Sequence, residues 1–122
     1  MNLSYDLHTH SHCSDGKLSP AELVSLAKLN NVDVLALTDH DTIAGIPAAI
    51  AAAGDALTII PGIEVSTLWQ GRGLHIVGLQ IYIHSDELQQ AVSQQDEIRF
   101  KRAKTIALRR EKAVINRAWD GA

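Results

Sequence analysis

The chain has 122 residues, 46% of them hydrophobic and 20% charged, with 11 basic against 14 acidic side chains and a formal charge of −3 when its six histidines are neutral. That length and balance suit one folded domain and exclude a globally disordered chain. A single cysteine, Cys13, allows neither an internal disulfide nor a cysteine-built zinc cage, so any metal must be held by histidine and carboxylate. The apolar stretches Val34–Leu37 and Ile43–Ala53 fall short of the ~18 residues of a membrane span, and the first residues do not read as a secretory leader. A cytoplasmic protein without a membrane partner is expected.

Leu3, Tyr5 and Leu7 alternate with polar residues, the period of a strand with one face toward a core. Leu18-Ser19-Pro20-Ala21-Glu22-Leu23 then spells a helix start, with Ser19 as N-cap, Pro20 in the first turn, Glu22 closing a capping box and Leu18 stapled to Leu23. That helix should run to about Asn30. Val34–Thr38 is a short apolar run, expected as a strand buried on both faces. Ile43–Ala53 should contain a helix with Pro47 near its start and Gly54 at its end. Leu57–Ile60 reads as a third strand broken by Pro61-Gly62, after which Ile63–Trp69 and Leu74–Ile83 flank a glycine-rich hairpin turn at 70–73. The order β-α-β-α-β implies a parallel sheet with helices outside, open or closed into a barrel.

From Ser85 the pattern is that of one long helix reaching about Val114, with acids at its start and bases at its end. Residues 1–98 carry three bases (Lys17, Lys28, Arg72) and twelve acids, whereas 99–122 carry eight bases and two acids. Two units are therefore expected, 1–84 and a basic 85–122.

The chemistry is concentrated in Asp6–Gly16 and Thr38–Asp41. Residues two apart on a strand project to one side, so His8 and His10 can point two imidazoles at one ion. Asp39 and His40 follow the second strand, and in a parallel β/α array such strand ends open on a common rim. Imidazole with carboxylate suits zinc, manganese or iron better than calcium. A carboxylate at Glu64, after Pro61-Gly62, could bridge two ions through its two oxygens, and His75 could complete a second ion's shell, although a lone histidine is more often a satisfied core residue than a ligand. His12 and His84 read as bystanders, Cys13 as a small filler, and the basic run from Arg99 to Arg110 as a solvated helix face.

Asp6-Leu7-His8-Thr9-His10, Ser14-Asp15-Gly16, Thr38-Asp39-His40-Asp41, Pro61-Gly62-Ile63-Glu64 and Leu74–Leu79, in this order, resemble the PHP-domain metal-dependent phosphoesterases. The likeness is greatest to the bacterial subgroup that includes a nucleoside 3′,5′-bisphosphate phosphatase and a 5′-to-3′ ribonuclease. The resemblance implies an α/β fold, a distorted and partial β/α barrel of the TIM-like PHP type, followed by a long basic helix that begins a helical insertion. It also implies two or three divalent ions, manganese, zinc, magnesium or iron. His8 and His10 match ligands of the first ion, Glu64 the bridge to the second, His75 a ligand of the second, and Asp15 and His40 ligands of the third. Asp39 and Asp41 would belong to the catalytic apparatus, behind the ligands or facing substrate. The implied reaction is hydrolysis of phosphate esters, with a phosphorylated nucleotide or an RNA 5′ end as partner.

The family's later Ala-His-Pro and Ser-Asp-Phe-His motifs do not occur here, so the chain resembles the N-terminal half of such an enzyme and leaves each ion one ligand short. The alternative expectation is a truncated half-domain that binds metal without turnover, with self-association or a partner completing the barrel. Amidohydrolases also begin with His-x-His on a barrel strand, but the Ser-Asp-Gly and Thr-Asp-His-Asp motifs speak against that class.

Overall fold

In a computed structural model, which describes residues 2–120 and the side chains of 2–98, 100–102, 104, 105, 107 and 108, the elements follow in the order β1 (Tyr5–Thr9), α1 (Pro20–Leu29), β2 (Val34–Leu37), α2 (Ile46–Ala53), β3 (Thr58–Trp69), β4 (Arg72–Leu79) and α3 (Asp86–Asp120). Helix α1 starts where its capping residues dictate, with the Ser19 hydroxyl accepting from the Glu22 N–H at 3.1 Å. Gly54 closes α2 at a positive φ of +52°, which glycine adopts without a Cβ penalty, and its N–H donates to the Ile50 carbonyl. The Ser85 hydroxyl accepts from Leu88 N–H at the start of α3. The basic face expected beyond residue 98 falls largely on side chains that lie outside the described ones.

The four strands form one mixed sheet in the order β1-β2-β3-β4, a half-barrel with helices against it. Strands β1, β2 and β3 pair in parallel and β4 antiparallel. Val24 and Ala27 of α1 and Ile46, Ala49 and Ala53 of α2 pack with Leu35, Leu37 and Leu57 to form the core. All four residues of β2 are buried, as its continuous apolar run requires.

Two sequence expectations are corrected. Pro61-Gly62 does not break the third strand: β3 runs unbroken through it, parallel to β2 up to the Leu37↔Pro61 pair and antiparallel to β4 from Gly62↔Leu79 onward. The two segments taken as separate strands are therefore one strand that changes partner. Gly62 makes the exchange feasible, because a Cβ there would lie 2.7 Å from Thr38 Cγ2 and 2.9 Å from the Gly78 carbonyl oxygen. The hairpin that follows is tighter than expected, a two-residue turn with Gln70 and Gly71 both at positive φ, the hand that matches strand twist. Second, Leu3, Tyr5 and Leu7 do not face a core. They are 57%, 58% and 41% exposed, because β1 is an edge strand and both helices pack further along the sheet.

Replacing Gly62 with Ala should destabilise the chain by about 1–3 kcal/mol through overpacking, while Gly73→Ala, where a Cβ would meet nothing within 4 Å, should stay near wild type. Urea unfolding of both variants checks this, and equal midpoints would contradict the close approach.

Candidate metal centre

His8 lies in β1 and His10 just beyond it, so both reach the rim at the C-terminal end of the parallel strands. The β1 and β2 ends are tied there by the Thr38 N–H donating to the Thr9 carbonyl at 2.9 Å. Past β2 the chain makes a short parallel bridge, His40↔Glu64, with Glu64 N–H donating to Asp39 C=O and Asp41 N–H to Glu64 C=O, both at 3.0 Å. Asp41 takes a left-handed φ of +53°, which aspartate tolerates better than most residues. In the β3–β4 register Ser66 faces His75, so Glu64, two residues before Ser66, shares the face of His75. The fold thus delivers side chains from β1, the two post-strand segments, β3 and β4 to one place.

Glu64, 5% exposed, is the hub. Its Oε1 contacts His8 Nε2, and lies 3.4 Å from His10 Nε2, while its Oε2 lies 3.0 Å from His40 Nδ1 and 3.2 Å from His75 Nδ1. Asp15 forms a second junction, with Oδ1 2.9 Å from His10 Nδ1 and Oδ2 3.2 Å from His40 Nε2. His10 and His40 each turn one ring nitrogen to Glu64 and the other to Asp15, with ring centroids 4.3 Å apart. Three groups result, each with its donor atoms within 4.8 Å of one another: His8–His10–Glu64, His10–Asp15–His40 and His40–Glu64–His75. Three protein donors that leave a position open are the pattern of catalytic rather than structural sites. Imidazole mixed with carboxylate fits a transition metal, so the residues present suit the ions that the sequence motifs imply.

Burial pushes the Glu64 carboxyl up, but the hydrogen bond with His8 and the charges of His40, His10 and His8 outweigh it and hold its pKa below the ordinary 4.5. At Asp15 desolvation likewise acts upward and is outweighed by His40 and by the hydrogen bond and charge of His10, leaving it below 3.8.

All six expected ligands, His8, His10, Asp15, His40, Glu64 and His75, therefore come together. His10 does more than expected, touching Asp15 as well as Glu64. Asp39 and Asp41 are each 1% exposed and are held by hydrogen bonds from neighbouring segments. Asp39 accepts from Ser11 N–H, Ser11 Oγ and Ser14 Oγ, and Asp41 Oδ1 from the Ser66 N–H. His12 and His84 are exposed away from the cluster, the latter against the Tyr82 ring. The sequence reading passed over Ser11, which is fully buried. A serine between two histidines carries no periodic signal.

The PHP domain model matches residues 6–117. The chain belongs to the PHP-domain family. It is 50% identical over 121 residues to the 5′-3′ exoribonuclease Rnm of Salmonella typhimurium, and that match covers 97% of this chain and 41% of the relative. It is 40% identical over 118 residues to the 3′,5′-nucleoside bisphosphate phosphatase of Chromobacterium violaceum, covering 96% of this chain and 41% of the relative. Among solved structures, an amidohydrolase from Chromobacterium violaceum with bound sulfate and no metal superposes with a TM-score of 0.82 at 38% identity, over 90% of this chain and 39% of that one. The chain thus spans about 41% of the length of these PHP-domain relatives.

Because the unfolded chain takes up protons more readily than Glu64 and Asp15 do here, their stabilising contacts are complete above the ordinary carboxylate range and are lost as pH falls through the lowered folded-state values. As pH falls below the ordinary carboxylate range, the metal-free chain should lose melting temperature more steeply than Glu64→Gln does. Parallel slopes in thermal melts would contradict the assignment of that loss to Glu64.

Proposed function

We propose that these six side chains hold two or three divalent cations and that the centre serves hydrolysis of phosphate esters, on a nucleotide or on an RNA 5′ end. The observation that carries the reading is the buried Glu64 carboxylate shared by four imidazoles, with Asp15 closing a second junction. The names of the exoribonuclease and bisphosphate phosphatase relatives support the substrate class. In this reading His8 and His10 hold the first ion, Glu64 bridges it to a second held with His75, and Asp15 and His40 hold a third. An imidazole-rich set favours manganese, zinc or iron over magnesium. When bound, such ions acidify water and neutralise charge on the phosphoryl oxygens.

The chain's own contribution is placement. Glu64 directs both oxygens into the cluster from a buried position, whereas the side chains of His8 and His75 are 58% and 56% exposed and leave the outer side open to a phosphate. Residues 1–84 form the barrel portion in this reading, and 85–122 begin a helical insertion that is tied back where Gln95 Nε2 donates to the Ser66 carbonyl at 2.7 Å.

A second reading, metal binding without turnover, is favoured by one observation: the chain spans about 41% of the length of its relatives.

Elemental analysis of the purified chain, paired with phosphate release from a 3′,5′-bisphosphonucleotide and a 5′-phosphorylated RNA in manganese, separates the readings. Bound metal with release supports the enzyme, and bound metal alone supports the half-domain. Cleavage of a cyclic amide without phosphate release would point to amidohydrolase chemistry instead. His8→Ala and Glu64→Ala should each weaken metal binding by about tenfold or more, while His84→Ala binds as wild type does. Equal loss in all three would undo the ligand assignment.

A further inference from the structure

Asp15 presents a positional problem. Its side chain is 67% exposed, so packing does not fix it, yet both of its oxygens meet imidazoles, those of His10 and His40. Its position must come from the backbone of the turn that carries it. That turn is wound on Ser11: the Ser11 carbonyl accepts from Ser14 N–H at 3.1 Å and from Gly16 N–H at 2.9 Å, and the Ser11 hydroxyl accepts from Cys13 N–H at 3.2 Å. Only glycine fits at its end, because a Cβ on Gly16 would lie 2.3 Å from the His10 carbonyl oxygen.

These bonds curl the turn on itself without anchoring it. The anchor is Asp39, adjacent to His40 in the chain. Its Oδ1 accepts from Ser11 N–H at 2.6 Å and Ser14 Oγ at 2.7 Å, and its Oδ2 accepts from Ser11 Oγ at 2.7 Å. Asp39 is 1% exposed and Ser11 is fully buried, so the two Ser11 bonds are shielded from water, the Ser14 bond is part-buried, and a lost acceptor would leave the Ser11 donors unsatisfied.

We propose that Asp39 is the positioning residue of the His10–Asp15–His40 group, pinning the 11–16 turn to the segment that carries His40 so that Asp15 stands between two imidazoles before any ion arrives. The inference deepens the metal-centre reading and rests on it for its consequence, though the pinning itself does not. What Asp39 supplies is hydrogen-bond acceptance. Asparagine can keep Oδ1 as the acceptor for Ser11 N–H and Ser14 Oγ, two of the three bonds, while its amide cannot replace Oδ2 as the acceptor of the Ser11 O–H.

The test compares wild type with Asp39→Ala, Asp39→Asn, Ser14→Ala and Asp15→Ala, all as the full 122-residue chain. Hydrogen exchange on the metal-free proteins reads the turn, and Mn2+ titration, followed by the electron paramagnetic resonance signal of the free ion, reads the site. Asp39→Ala should speed exchange across 11–16 at least tenfold and bind the same reduced number of Mn2+ ions as Asp15→Ala. Asp39→Asn, which keeps two of the three acceptor contacts, should restore both readouts in part, which a purely charge-based role would not allow. Should Asp39→Ala fail to fold, Ser14→Ala must show an intermediate rise in exchange confined to the turn. Unchanged exchange in the variants, or an Asn variant as impaired as the Ala variant, would overturn the proposal. A wild type that binds no Mn2+ would defeat the metal-centre reading, and the exchange pattern would still decide whether Asp39 pins the turn.

Discussion

The structure is organised around a carboxylate that burial alone would disfavour. Glu64 is nearly sheathed, and an ionised group in that position is tolerable only where partners replace the water it has lost. Four imidazoles supply that replacement, two on each oxygen. They come from positions 8, 10, 40 and 75, so the carboxylate binds together the first strand, the segment after the second strand and the last strand of the sheet. The same contacts that satisfy Glu64 bring the metal-type donors to within a few ångströms of one another.

Strand β3 makes this arrangement available. Its parallel half continues the β/α pattern and brings Glu64 to the rim where His8, His10 and His40 already stand, and its antiparallel half hands over to β4, which returns His75 to the same face. A regular parallel unit would have followed the third strand with a helix and left no donor at that position. The exchange of partners needs a backbone close to two others, and that is where glycine stands at 62. A mixed sheet is thus the means by which a small α/β array gathers donors from five separate places.

Much of this was legible in the residues. His8 and His10 announce a shared direction through the strand period alone, and Ser19, Glu22 and Gly54 mark helix boundaries by capping chemistry that acts locally. Glu64 and His75 are legible as donor types beside the Pro61-Gly62 turn and at the start of the next strand, but the ions they would share come from the family resemblance, since neither periodicity nor composition says which strands become neighbours. Two features escaped because they depend on long-range contacts. Pro61-Gly62 has the local signature of a turn, yet the partner strands on either side keep it extended. The alternation at Leu3, Tyr5 and Leu7 has the signature of a buried face, but burial depends on which layer lies above the strand, and the helices lie over β2 and β3. For Asp39 the residues leave two positions open, behind the ligands or facing substrate; its partners Ser11 and Ser14, distant in sequence, draw it inside.

The central claim is that Glu64 and its imidazoles form a cation site as they stand, without rearrangement. Anomalous diffraction at the zinc edge from zinc-soaked crystals of this chain tests it most directly. The account predicts a peak about 2.0–2.2 Å from a Glu64 carboxylate oxygen and from at least one ring nitrogen of His8, His10, His40 or His75. Zinc confined to surface residues, with the Glu64 carboxylate turned away from the four rings, would contradict it.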